Sequence, residues 1–151
     1  MYDERLGVPL RWWVQGVMLL ATFWLAFVVA IPGPLPWVLT AVLGAVLVLA
    51  LGSYGSARLS VADGVFGAGR ARIEVAHLGP AEALDAEQTR RVAGADADAR
   101  AFLVLRPYLS LAVKVPVQDP ADPTPYWLVS TRHPQALAAA LNHLSGRGEA
   151  S

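Results

Sequence analysis

Cysteine is absent from the 151 residues, which excludes disulfides, thiolate catalysis and cysteine-based zinc sites. Charge is absent over a long stretch: Trp12 to Ala57 contains no Asp, Glu, Lys, Arg or His, with Arg11 and Arg58 standing at its two ends. A stretch with no ionisable side chain offers no proton relay and no ion pathway of the kind that transporters use. Net charge is absent too, twelve basic side chains balancing twelve acidic ones. No long-range field therefore draws the chain to nucleic acid, and no nucleic-acid partner is expected.

The uncharged stretch dominates what is present. Roughly 20 apolar residues of helix, at about 1.5 Å each, cross a hydrocarbon core about 30 Å thick. Residues 12–31 supply one such run, interrupted only by Gln15, Gly16 and Thr22, and residues 37–54 supply a second. Between them Pro32-Gly33-Pro34-Leu35-Pro36 ends the first helix by removing donors and fixing φ. In lipid each run must satisfy its own peptide groups, so each is helical. Trp12, Trp13, Trp37 and Tyr54 lie near the run ends, where amphipathic rings favour the interface. A soluble core around both helices would need a far larger chain. A signal peptide would be shorter, would carry a small-residue cleavage site, and would not be followed by a second span. Residues 12–57 are therefore read as a transmembrane hairpin.

Arg5 and Arg11 precede the first run, Arg58, Arg70 and Arg72 follow the second, and the connecting turn carries no charge. By the distribution of Lys and Arg, both termini face the cytoplasm of a cell membrane. Residues 1–11 read as a cytosolic leader, either solvated or touching the soluble domain, and 58–145 as a cytosolic domain with a tail at 146–151.

Within that domain Arg58–Ala62 alternates as a strand, and Asp63-Gly64 suits a type I′ hairpin turn. The return strand continues through Val65 to Val75, with Gly67 and Gly69 marking a bend or bulge. A strand is expected at Glu82–Leu84. Asp85, with Gln88 three residues on, forms a capping box that opens a helix ending at Gly94. Phe102–Leu105, apolar on both faces, reads as a central strand. Leu111, Val113, Val115 and Val117 alternate in another, which Pro116 assigns to an edge. Tyr126–Thr131 is the last strand. Pro134 starts a final helix whose Leu137, Leu141 and Leu144 form one stripe. The expected fold is a membrane α-helical hairpin plus a small α+β soluble domain with a C-terminal helix. Hairpin-rich sheets closed by such a helix are also the layout of pleckstrin-homology-like domains, an analogy of pattern.

Candidate sites are few. Gly67-x-Gly69 lacks the third glycine and the strand–turn–helix setting of a dinucleotide fingerprint. Asp119 and Asp122 offer two carboxylates where calcium wants six or more oxygens; the prolines around them indicate a turn. His77, His133 and His143 lack metal-ligand spacing, and His133 reads as helping to cap the last helix. Ser60 and Ser130 have no visible base in sequence. No catalytic residue, metal or cofactor is assigned. The anion or lipid-headgroup candidates are Arg58, Arg70, Arg72 and Arg132. The first three follow the second span, where a basic residue at an anionic surface gains about 1 kcal/mol, and Arg132 lies at a helix start. Topology anchoring is the plainer account of them. Gln15 and Thr22 share a face of the first helix and could bond to the second.

Tyr2-Asp3-Glu4-Arg5-Leu6-x-Val8-Pro9, Phe102-Leu103-Val104-x-Arg106-Pro107 and the long Asp119–Pro134 segment ending Tyr126-Trp127-Leu128-Val129-Ser130-Thr131-Arg132-x-Pro134 carry a family resemblance. The chain resembles actinobacterial small membrane proteins classed only as a domain of unknown function. The resemblance implies a double-spanning protein of a high-G+C Gram-positive bacterium, in keeping with eleven Arg against the single Lys114. It implies no activity. The pattern departs at Gly67 and Gly69, where bulkier strand residues would be expected.

The expected role is a hairpin anchor in the lipid bilayer presenting its domain for protein or lipid contact, with a protein partner or a second copy as further contacts. Two alternatives stand beside it. One is a membrane enzyme on a phosphorylated lipid, with Arg58, Arg70 and Arg72 clamping phosphate and the Asp119/Asp122 loop holding a metal. The other is an accessory subunit, with apolar surface left open on Tyr126–Thr131 or on the Leu137/Leu141/Leu144 face. The fragment from Arg58 onward is expected to fold alone. Reporter fusions at either terminus are expected to signal cytoplasm; an extracytoplasmic signal at Ser151 would reverse the orientation.

Overall fold

The computed structural model describes residues 1–148. It comprises two units: a helical unit, Gly7–Ser56, and a second made of Met1–Leu6 with the chain from Ala57 onward.

In the helical unit, α1 spans Leu10–Ala30 and α2 spans Leu35–Gly55. At about 1.5 Å per residue each is about 31 Å long. Pro9 is the extended N-cap of α1, so Arg11 belongs to the helix's first turn instead of preceding it. Gly33, at φ +89°, turns the chain between the helices. Pro36 sits in the first turn of α2, where its missing N–H has no partner to lose. The helices meet at glycines: a Cβ on Gly16 would lie 3.0 Å from Leu47, and one on Gly44 would lie 3.4 Å from Leu20. Thr22 does not join them, because its hydroxyl donates to Met18 O at 2.9 Å within its own helix, and Gln15 is exposed.

The second unit holds two four-stranded sheets. In the first, β1 (Tyr2–Arg5), β2 (Arg58–Ala62), β3 (Val65–Ala68) and β4 (Ala71–Glu74) lie side by side in chain order, every pair antiparallel. The expected cytosolic leader is thus an edge strand of the domain. Its register puts Tyr2 opposite Val61 and Glu4 opposite Leu59, and Leu6 just beyond it is fully buried. A four-residue strand with a single apolar inward position carries too little periodicity to be read before its partner is known. Asp63 (φ 51°) and Gly64 (φ 73°) make the type I′ turn. The long return strand is really two strands, because Gly69 at φ +65° turns the chain between β3 and β4. Gly67 is no bulge. It sits in regular register between Ser60 and Arg72, and a Cβ there would come within 2.9 Å of Ser60 Oγ.

The second sheet has the order β5 (Glu82–Leu84), β7 (Ala112–Pro116), β8 (Tyr126–Ser130), β6 (Phe102–Val104). The β6–β8 pair is parallel, the others antiparallel. Two expectations are reversed here. Phe102–Val104 is an edge strand: Phe102 packs tilted against Trp127 with ring centroids 4.6 Å apart, while Leu103 faces out, 44% exposed. β7 is interior despite Pro116, which lies at its end beyond the last rung with β5 at Lys114 and so removes no donor from that ladder. β8, flanked on both sides, is buried at every residue.

α3 (Ala86–Ala93) opens with the expected box, Asp85 accepting from Gln88 N–H and Gln88 from Asp85 N–H. It covers one face of the second sheet, over Leu84, Ala112, Tyr126 and Leu128. The other face packs on the first sheet and on α4 (Pro134–Gly148), with Phe66 and Trp127 5.7 Å apart across the join. Leu137 and Leu141 are buried and Leu144 half-buried. Asn142 pins α4 to the start of β5, accepting from Ala81 N–H at 2.7 Å and donating to Ala81 O at 3.1 Å. The expected tail begins inside α4, and residues 149–151 lie outside the described residues.

A fragment starting at Arg58 would therefore lack β1, so it cannot be the whole domain. Leu6 N–H donates to Ala57 O at 2.9 Å, a pair that a two-residue turn can join. Replacing residues 7–56 by Asn-Gly is expected to yield a soluble, cooperatively melting protein. Residues 57–151 alone are expected to melt lower or without cooperativity by circular dichroism.

Candidate functional site

The polar residues of the first sheet divide by the period-two alternation of strands. On β1, Tyr2 and Glu4 point inward, while Asp3 and Arg5 point outward with Arg58, Ser60 and Arg72. Two constellations result.

The inward one is centred on Glu4, a carboxylate only 9% exposed. Tyr2 Oη donates to its Oε2 at 2.6 Å, the Thr131 hydroxyl donates to the same oxygen, and Arg132 N–H donates to Oε1 at 2.9 Å. His133 Nδ1 stands 4.0 Å from Oε1 and the Arg132 guanidinium 3.9 Å, and that guanidinium also donates to Arg5 O at 2.9 Å. Burial pushes Glu4 up, but the two hydroxyls, the Arg132 N–H and the nearby His133 together hold it below the ordinary carboxylate range. Burial, reinforced by Glu4, pushes the Tyr2 phenol up to about 12. Every Glu4 oxygen is already engaged, and the surrounding core is filled. The arrangement is suited to holding β1 against the start of α4. Strand periodicity did not mark Glu4, because its partners other than Tyr2 lie more than a hundred residues away.

The outward constellation receives Arg58 and Arg72 on one face of the sheet, with Arg70 in the β3–β4 turn. Arg132 does not join that face; its guanidinium is held by Arg5 O and Glu4. Arg58 is paired with Asp3, Nε donating to Oδ1 at 2.6 Å and Nη2 to Oδ2, and this lowers the Asp3 carboxyl. Arg72 flanks a hollow of about 280 Å³ over Gly67, lined also by Ser60, Ala62, Asp63 and Val65. A second hollow of about 370 Å³ lies beside α4, where His143 and Arg147 meet Met1 and Val61.

The remaining candidates are absorbed by local structure. Asp119 accepts from Ala121 N–H and Asp122 from Thr124 N–H, each at 2.9 Å, so both carboxylates stabilise their own turns. His133 contributes its carbonyl to α4, accepting from Leu137 N–H at 3.0 Å. Among the described residues no three His, Asp or Glu side chains group as metal ligands. The Tyr126–Thr131 strand and the Leu137/Leu141 stripe are buried inside the domain, so neither is an open apolar surface.

A family model described as "Protein of unknown function (DUF3093)" matches residues 1–141. The chain belongs to this family. No curated protein and no solved structure matches it. The DUF3093 match takes in β1, both apolar helices, both sheets and α4 as far as Leu141. Two segments singled out by their sequence meet at the Glu4 centre of this DUF3093 protein. The Tyr2–Leu6 segment supplies the carboxylate, and Thr131-Arg132 of the long second segment supplies donors. The Arg106-Pro107 segment is bonded to the residue before Thr131, Arg106 N–H donating to Ser130 Oγ at 3.0 Å. Nearby, Tyr108 Oη donates to Leu6 O at 2.7 Å.

Removing one partner from such a buried charged centre costs about 2–3 kcal/mol. Glu4→Gln in the Asn-Gly-joined domain is expected to lose about that much in denaturant melts at neutral pH. Because the folded Glu4 carboxyl is lowered, its contribution is present above the unfolded value and lost as pH falls through the folded one. The wild-type and Gln curves should therefore converge in acid. A difference that persists unchanged would contradict the carboxylate's role.

Proposed function

We propose that the protein is an integral membrane protein of the cell membrane, whose double-spanning hairpin presents a cytosolic α+β domain for contact with lipid or protein. The observation that carries this reading is the exposure of the two helices. No residue of α1 and only Pro36 and Leu51 of α2 are buried, and each candidate span is 6% buried. A core helix of a soluble protein would be mostly buried. Apolar surface of this extent, with Leu19, Leu25, Val29 and Leu49 all more than half exposed, needs a non-aqueous surrounding.

The β1–β2 ladder supports two passes. The segment before α1 and the segment after α2 pair residue for residue, which supports both lying on one side of the bilayer. The arginine distribution supports a cytoplasmic position for that side. Two sheets closed by a C-terminal helix keep the pleckstrin-homology-like analogy of layout, from which the parallel β6–β8 pair departs. Both faces of the second sheet are filled, and the Asp119/Asp122 carboxylates are engaged in turns. These facts favour an anchored binding module over an enzyme acting on a phosphorylated lipid. An accessory-subunit role would place its contact on the helices, where the open apolar surface lies. The resemblance to actinobacterial membrane proteins agrees with this reading.

Alkaline carbonate extraction followed by a mild-detergent pull-down tests it. The chain is expected in the membrane pellet, with lipid or a partner retained after solubilisation. Release into the carbonate supernatant would contradict the anchor.

A further inference from the structure

We propose that the outer face of the first sheet, at the end carrying Arg5, Arg58, Arg70 and Arg72, is a docking surface for anionic phospholipid headgroups. The proposal rests on the anchor reading above and names the contact that reading leaves open.

Strand alternation puts Arg5, Arg58 and Arg72 on the same outward side, and all of them are exposed. Arg5 lies directly opposite Arg58. Because Leu6 N–H bonds to Ala57 O, the adjacent Arg5–Arg58 pair falls at a non-hydrogen-bonded position, where opposing side chains stand closest. Like charges opposed in this way destabilise a sheet; Asp3 is bonded to Arg58 and attracts Arg5 through space without a bond between them. Among the described residues the side chains of Arg5, Arg70 and Arg72 make no hydrogen bond and no ion pair. An anion placed over this end would relieve the repulsion and satisfy three unused guanidinium groups, the side chain suited to phosphate.

The charge is also polarised along the strands. Arg5, Arg58 and the Gly69-Arg70 turn occupy one end, while the other holds Glu74, opposite Val65, and Asp63 in the turn beyond the Ala62–Val65 rung. The basic end is the one from which the chain passes into the helices. Arg58 follows the end of α2 at Gly55 by three residues of chain. A bilayer surface offers phosphates in a plane, and an open sheet face with a hollow over Gly67 presents Arg72 and Ser60 to such a plane. Attraction of this kind acts within a Debye length of the surface.

The test uses the full-length protein in phosphatidylcholine bilayers with trace spin-labelled phosphatidylglycerol or phosphatidylcholine. Phosphatidylglycerol is expected to be held at the protein preferentially, each arginine lost weakening that preference roughly fivefold at most. Arg5→Gln/Arg70→Gln/Arg72→Gln, which leaves the Asp3–Arg58 pair intact, should abolish most of the preference with an unchanged melt. The corresponding triple Lys variant should retain it. Equal retention of both lipids by the wild type, or an undiminished preference in the Gln variant, would overturn the proposal. Displacement of phosphatidylglycerol by inorganic phosphate would reassign the face to a free anion and overturn it too. Failure of the chain to enter the bilayer would instead count against the anchor itself.

Discussion

Backbone pairing between β1 and β2 is the constraint on which the remainder of the molecule depends. These two segments flank the apolar helices in the chain, yet they lie in one ladder with Tyr2 opposite Val61 and Arg5 opposite Arg58. The helical unit is thereby an insertion within a hairpin, not an appendage before a domain. Closing a chain over so long an insertion costs entropy that grows only slowly with length. The ladder bonds, the burial of Leu6 and the hydrogen bonds to Glu4 offset that cost. The same pairing supports the proposal that both ends of the helical unit face one side of a bilayer.

β1 itself is too short and too polar to be held by hydrophobic burial. Its inward side offers Tyr2 and Glu4, and a buried carboxylate is tolerated only when its oxygens are hydrogen-bonded. Tyr2, Thr131 and the Arg132 N–H meet that requirement, and they tie the strand to the start of α4. Its outward side offers Asp3 and Arg5, which meet Arg58 from the neighbouring strand. One strand of four residues thus contributes to a buried carboxylate centre on one side and a basic face on the other, because side-chain direction alternates with every residue.

Legibility followed the range of the interactions involved. The capping box at Asp85, the turn at Asp63-Gly64 and the stripe Leu137/Leu141 depend on residues within a few positions of one another, and each was readable from spacing. The apolar runs were readable from composition, although Pro9 moved the start of α1 forward to Leu10. The misread elements depended on distant partners. Phe102–Val104 has the composition of a central strand, but it pairs only with β8. Pro116 suggested an edge, but it falls past the last rung with β5. Arg132 carried the marks of an anion site, yet its guanidinium is held by Arg5 O and Glu4.

By itself the sequence determined that two helices are long and apolar enough to cross a membrane, and that the chain supplies no thiol. Those are properties of composition and of backbone hydrogen bonding, which hold whatever the rest of the chain does. Only the tertiary structure decided that Tyr2–Arg5 belongs to the domain, that Glu4 is a buried centre, and that Arg5 joins Arg58 and Arg72 on one face. Each of these needs strand register, and register is set by pairing between segments that the helices separate in sequence.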